Sequence, residues 1–233
     1  MGSFCNIDVL PAADVIMSST TKSFSGYADV MGGSLVLNPE SQRYSALKPI
    51  FTTNFHNEYF IGDAEKLLSN SEDYFARSTI LNRNAKTLVD YLQTLVNDPS
   101  YAITKVLYPT QSDTLANYQA FMRRPTDDFV PGYGCLLSVE FEDKDCAKIF
   151  FDNLSFHHGP HLGAHVSLAA PFNEMLWGKD EEGAAYHGAY GVRGEQIRIS
   201  VGLESEEDVL DTVKAALEKV RAFKDAKVVG KVG

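Results

Sequence analysis

Three kinds of group in this 233-residue sequence have chemistry to offer: a lysine amine, a guanidinium inside an apolar run, and a histidine cluster. Lys22 stands in Ser18-Ser19-Thr20-Thr21-Lys22-Ser23. A desolvated lysine amine is a nucleophile and a proton carrier, whereas one in a Ser/Thr-rich surface loop is simply hydrated. Arg198 lies within Gln196-Ile197-Arg198-Ile199-Ser200. A guanidinium enclosed by such a run needs an anion, either an internal carboxylate or a bound one. His157, His158, His161 and His165 fall within nine residues. His161 and His165 have i, i+4 spacing, but Pro160 and Gly163 argue against a helix there, and neither Cys nor carboxylate joins the cluster, so no metal centre is expected. Imidazole titrates near neutrality, which leaves acid or base work open to these residues.

The elements that would position these groups follow from patterning. Residues 14–18 are apolar and β-branched and predict a buried strand, and residues 34–37 predict its return. Between them runs a Ser, Thr and Gly loop carrying Lys22, with Gly32-Gly33 marking a tight turn or a close backbone approach. Helices are expected over 41–54, 63–68 and 71–95, the last with Phe75, Ile80, Leu81, Leu88, Leu92 and Leu95 along one face. Beyond residue 102, strands are expected over 103–108, 135–141 and 196–203, and helices over 114–122, 143–153 and 205–223. Ser205 reads as an N-cap, followed by Glu206, Glu207 and Asp208 where carboxylates meet the helix dipole. Residues from 227 onward read as a frayed tail. This order implies α/β structure first and an α+β sandwich second, divided as 1–85 and 86–233.

Composition narrows the function classes. The net charge of −10 argues against general nucleic-acid binding. No run approaches a membrane span. Cys5, Cys135 and Cys146 follow no CxxC spacing and read as reduced thiols, so a cytoplasmic protein is expected.

Ser19-Thr20-Thr21-Lys22 with Gly26, then Asp29-Val30-Met31-Gly32-Gly33, resembles the lysine segment of the Cys/Met-metabolism enzymes that use pyridoxal phosphate (PLP), in particular the fungal cystathionine γ-synthase-like branch. The lead-in at Asn6 to Pro11, the helix carrying Arg77, Asn82 and Asn84, Gly159-Pro160-His161-Leu162-Gly163, and Tyr190-Gly191-Val192 followed by Ile197-Arg198-Ile199-Ser200 match in order. The resemblance implies an incomplete PLP fold type I of the aspartate aminotransferase kind: a remnant of the large-domain sheet plus the C-terminal small domain. It implies Lys22 as the lysine that bonds PLP and moves protons, Ser19 and Thr21 as phosphate donors, and Arg198 as the bidentate grip on a substrate carboxylate.

His161 stands where that family normally has Ser, His165 replaces another polar position, and Tyr27 stands where His or Asp is usual. His161 and Tyr27 are therefore candidate catalytic groups, and His161 and His165 candidate substrate contacts. The family's aspartate for the pyridine nitrogen, its ring-stacking aromatic and its phosphate-binding loop would precede Asn6 and are expected to be missing, leaving an open sheet edge and apolar surface. Two expectations stand side by side. One is γ-replacement or elimination on an activated homoserine-type amino acid, in a homo-oligomer or with a complementing N-terminal-half chain. The other is a cofactor-free acid–base enzyme or a non-catalytic partner of a longer paralogue.

Overall fold

The computed structural model describes residues 4–229. Strands β1 (Val15–Ser19) and β2 (Gly33–Leu37) pair antiparallel, with Val15 opposite Leu37 and Ser19 opposite Gly33, as a two-stranded sheet. Helices α1 (Tyr44–Asn54) and α2 (Ile61–Ser71) follow, then the long α3 (Tyr74–Thr94). The remainder builds a five-stranded sheet from β3 (Ile103–Leu107), β4 (Leu136–Phe141), β5 (His157–His158), β6 (Leu168–Ala170) and β7 (Gln196–Ser200), in the order β3-β4-β7-β6-β5. Pairing is antiparallel except between β5 and β6. Between the strands run α4 (Leu115–Ala120), α5 (Lys144–Asp152), α6 (Phe172–Trp177) and α7 (Glu181–Gly188), and α8 (Glu206–Val229) closes the described chain.

The core lies in this second part. Leu88 and Leu92 of α3, Leu137, Val139 and Phe141 of β4, Phe150 of α5, Ile197 and Ile199 of β7, and Val213, Leu217 and Val220 of α8 form one buried cluster. Alternation puts Leu137, Val139 and Phe141 on one face of β4, and the i, i+4 spacing of Val213 and Leu217 sets an apolar stripe on α8. Ser205 caps α8 as its sequence requires: its Oγ accepts from Asp208 N at 3.0 Å. Asp143 caps α5 through Cys146 N at 2.8 Å.

Several expectations are corrected. β1 is not buried: none of its five residues is, and Met17 is 77% exposed. Period-two apolar runs specify pairing, but burial needs something to pack against, and this hairpin lacks it. The helix expected over 71–95 breaks at residues 72–73, because the Asn70 carbonyl accepts from the Arg77 guanidinium at 2.7 Å. In a continuous helix that carbonyl would serve the N–H four residues on. Phe75, expected on the buried stripe, is 48% exposed and stacks on Phe129. β5, β6, α6 and α7 were not foreseen, being too short for periodicity to register. α8 runs on through Val229 where fraying was expected; residues 230–233 lie outside the described ones.

Candidate functional site around Lys22

Lys22 is half-buried in a turn that follows β1. Thr20 N and Thr21 N both donate to Gly32 O, at 2.9 and 3.3 Å, so the loop closes on the glycine pair. Gly32 has no room for a side chain: a Cβ there would lie 1.7 Å from Tyr59 Oη. Ser25 N donates to Thr20 O and Gly26 N to Lys22 O, at 3.0 and 2.7 Å, giving one helical turn around the lysine.

Arg77 fastens that turn from below. Its guanidinium is buried within α3, donating to Ser23 O at 3.0 Å, Phe24 O at 2.9 Å, Asn70 O at 2.7 Å and Asp73 Oδ1 at 2.6 Å. Gly26, at φ +78°, leaves the space; a Cβ there would lie 1.8 Å from Arg77 Nη1. Asn70 completes the fastening through Ser25 Oγ and Asp29 Oδ1, at 2.9 and 2.8 Å. Burial pushes the Asp73 carboxyl up, but the hydrogen bonds from Arg77 and Tyr27 outweigh it and hold it below the usual value.

The opposite wall is the loop after β5. Gly163, at φ +73°, approaches the lysine turn so closely that a Cβ would lie 2.7 Å from Ser23 N. Gly163 N donates to Ser200 Oγ of β7 at 2.9 Å, and His165 N donates to Gly26 O at 2.8 Å. These contacts bring His161 near Lys22. Nε2 of His161 is buried without a hydrogen-bond partner. Burial, with a smaller contribution from the Lys22 charge, lowers the His161 pKa, so its imidazole is neutral at pH 7. Between the walls lies a cavity of about 230 Å³ whose lining includes Lys22, Ser78, Asn82, Cys135, Leu162 and Gly163. Ser78 Oγ is also buried without a partner.

Arg198 is half-buried rather than enclosed, because its strand neighbours turn inward while it turns out. Its guanidinium lies 3.8 Å from the centroid of the Phe172 ring and donates to Pro160 O. Among the described residues no carboxylate forms an ion pair with it, so the internal partner weighed from sequence is not there. Burial lowers its pKa.

The other sequence-predicted residues are spread more widely. Ser19 is exposed at the end of β1. Thr21 Oγ1 is engaged, accepting from Gly32 N at 2.9 Å and donating to Gly32 O at 3.3 Å. Thr20, which sequence reasoning passed over, carries the hydroxyl that is buried and unpartnered. Tyr27 faces away from the cavity: its hydroxyl donates to Asp73 Oδ2 at 2.9 Å, and that bond, followed by burial, raises its pKa. The exposed His165 ring packs on Tyr27 at 5.3 Å. His157 and His158 are exposed on β5, with His158 stacked on Phe151. Arg77 was also missed as a site residue. Its signal is position, since it shares a stripe with the buried Tyr74, Ser78 and Leu81 at helical spacing, where an arginine must be doing something polar.

The residues present fit the anchoring end of PLP. They offer a lysine amine, an orphaned Thr20 hydroxyl and an exposed Ser19 hydroxyl. They do not supply its far end, since the cavity lining contains no carboxylate to face a pyridine nitrogen.

Residues 7–218 match the model of the Cys/Met metabolism PLP-dependent enzymes. An alanine racemase of Aspergillus violaceofuscus is 38% identical over 94% of this chain and 37% of its own length. A cystathionine γ-synthase-like protein of Aspergillus thermomutatus is 38% identical over the same shares. The cystathionine γ-synthase of Neurospora crassa is 36% identical over 94% of this chain and 33% of its own. The crystal structure of cystathionine γ-synthase from Xanthomonas oryzae in complex with cystathionine superposes with a TM-score of 0.74 at 25% identity, covering 94% of this chain and 54% of that one. The chain thus spans about a third of the length of these curated relatives and about half of that solved chain. Among the described residues no helix is long and apolar enough to cross a membrane.

Proposed function

Because the chain belongs to the Cys/Met metabolism PLP-dependent enzyme family, we propose that it carries the lysine-bearing half of a PLP site. On this reading it performs γ-replacement or elimination on an activated homoserine-type amino acid once another polypeptide, or another copy, completes the pocket in the cytoplasm. The observation that supports this most is the pairing of two walls: the Lys22 turn, fastened by Arg77, and the Gly163 loop, which leads to an Arg198 guanidinium without a carboxylate.

PLP, when bound, supplies an electron sink for charge that develops at a substrate carbon. The chain's own residues do the rest. Lys22 Nζ would hold the cofactor and would carry protons between substrate carbons. Ser19 and Thr20 hydroxyls would hold the phosphate, with Thr21 holding the loop through Gly32. Arg198 orients the substrate through its carboxylate, a fork that Lys could not reproduce. The test combines the chain with the N-terminal part of the Aspergillus thermomutatus relative, PLP, O-acetylhomoserine and cysteine. Formation of cystathionine, lost in Lys22→Ala and carrying a raised KM in Arg198→Lys, is expected. No turnover of O-acetylhomoserine, by replacement or elimination, would overturn the assignment.

His161 favours a second reading, in which protons are moved without replacement. A neutral imidazole with a free buried Nε2 can take up or return a proton on a substrate carbon. An alanine racemase among the relatives fits such chemistry. Deuterium incorporation into L-alanine that His161→Gln abolishes, with no γ-replacement, would select this reading.

A further inference from the structure

Strand β7 turns Ile197 and Ile199 into the main core, and by period two its other face carries three polar side chains, Gln196, Arg198 and Ser200. Each reaches a different neighbour. Gln196 Oε1 accepts from Asn173 Nδ2 of α6 at 2.7 Å, and its Nε2 donates to Glu140 Oε2 of β4 at 2.7 Å, so the start of α6 is tied to the sheet. The residue before Asn173 is Phe172, and the Arg198 guanidinium lies 3.8 Å from the centroid of its ring. Arg198 stands opposite Ser138 on one side and Ala170 on the other, both small enough to let it lie over Phe172. It donates to Pro160 O, and Ser200 Oγ accepts from Gly163 N at 2.9 Å. Loop 160–163 is therefore held by β7 at both ends, with His161 between them.

We propose that Ser200, Arg198 and Phe172 are positioning residues for His161: they clamp loop 160–163 at both ends and so hold the imidazole beside Lys22. The proposal rests on the second reading above, in which His161 moves protons, and says what aims it. His161 Nε2 has no hydrogen-bond partner, so that end of the ring is placed by the loop and not by a bond of its own. Gly163, at φ +73°, takes a conformation that side-chain-bearing residues rarely adopt, and its bond to Ser200 keeps it there. A guanidinium over an aromatic face is held by electrostatics and stacking together, so Phe172 orders Arg198 before anything binds. One of the five N–H donors of Arg198 goes to Pro160 O, and a carboxylate needs two. A substrate carboxylate gripped by Arg198 is thus located by the same side chain that locates the imidazole's loop, which fixes the one relative to the other.

The experiment follows the His161 imidazole by NMR titration in the full chain, without PLP or substrate, in Ser200→Ala, Phe172→Leu and Phe172→Tyr. Burial holds His161 below its ordinary 6.5, so a ring released from the clamp should titrate closer to that value. None of the three variants alters the Lys22 or Arg198 charge. An upward shift in Ser200→Ala and in Phe172→Leu, with the parent midpoint kept in Phe172→Tyr, is expected. Ser200→Ala should also quicken exchange of the Gly163 amide by about tenfold, the worth of one hydrogen bond. A midpoint unmoved in Ser200→Ala or in Phe172→Leu, or moved as far in Phe172→Tyr as in Phe172→Leu, would overturn the proposal. Should Ser200→Ala not fold, the two Phe172 variants decide alone. Deuterium incorporation into L-alanine separates the clamp from the reading it rests on. If the midpoints shift as expected but the parent incorporates no deuterium, the clamp stands and proton transfer by His161 falls. If the parent incorporates deuterium and Ser200→Ala and Phe172→Leu do so equally fast, proton transfer stands and the clamp falls.

Discussion

Replacing Arg77 by Met keeps most of its stem but removes four donor contacts, to Ser23 O, Phe24 O, Asn70 O and Asp73. Removing one member of a buried charge-assisted cluster costs about 3–5 kcal/mol, because the partners left behind are unpaired. The Asp73 side chain is 48% exposed, so its share is screened, and about 3 kcal/mol is the better figure. That loss should fall locally. The apolar burial of the lysine turn is confined to Phe24, which packs on Phe4 and Tyr74, whereas the main cluster around Val139, Ile199 and Leu217 does not involve Arg77. Hydrogen exchange of the Ser25 and Gly26 amides, which hold the turn through Thr20 O and Lys22 O, should therefore quicken by roughly a hundredfold. The protection of amides in that main cluster should change little. Gly26→Ala offers an independent route to the same defect, since its Cβ would displace Arg77 Nη1. The double variant should then cost little more than either single one. Exchange at Ser25 and Gly26 within about twofold of the parent in Arg77→Met, well under the 1.4 kcal/mol of a tenfold change, would refute the idea that Arg77 fastens the turn.

Other expectations follow from the same geometry. Asp73 titrates below its ordinary 3.8 in the folded chain, so its contribution is whole above that pH and is lost as pH falls through the lower folded value. Amide exchange in the lysine turn, corrected for intrinsic rates, should quicken on acidification below about pH 4 in the parent and far less in Asp73→Asn. His161 has a folded pKa below 6.5, so stability rises with pH up to that value and is flat above it. In an imidazole NMR titration, Lys22→Met should shift the His161 midpoint upward, and an unmoved midpoint would separate the two side chains. Gly163→Ala should destabilise by roughly 1–3 kcal/mol through its positive φ and its contact with Ser23 N, read as a lowered urea midpoint.

The second part of the chain was the more legible from sequence, for a physical reason. Its strands and helices bury one face each, so Leu137, Val139 and Phe141, or Val213 and Leu217, write their period into the sequence. β1 carries an equally apolar pattern without burial, and so was assigned a depth it does not have. Gly163 and Gly26 advertised backbone freedom, but which chain approaches them is a tertiary fact. The Lys22 and Arg198 positions could be recognised by type and neighbourhood. The orphaned hydroxyl of Thr20, the engaged one of Thr21 and the turning of Tyr27 toward Asp73 depend on hydrogen-bond choices that adjacent, like-typed residues make only in three dimensions.

The measurement that bears most directly on the central claim is covalent capture of PLP. The chain, alone and with the N-terminal part of the Aspergillus thermomutatus relative, is mixed with PLP, reduced with borohydride and mapped by peptide mass spectrometry beside Lys22→Ala. Specific labelling of Lys22 at stoichiometric cofactor, strengthened by the added segment and absent from the variant, is the predicted result. Labelling scattered over surface lysines, equal in the parent and in Lys22→Ala, would contradict the assignment of Lys22 as the cofactor anchor.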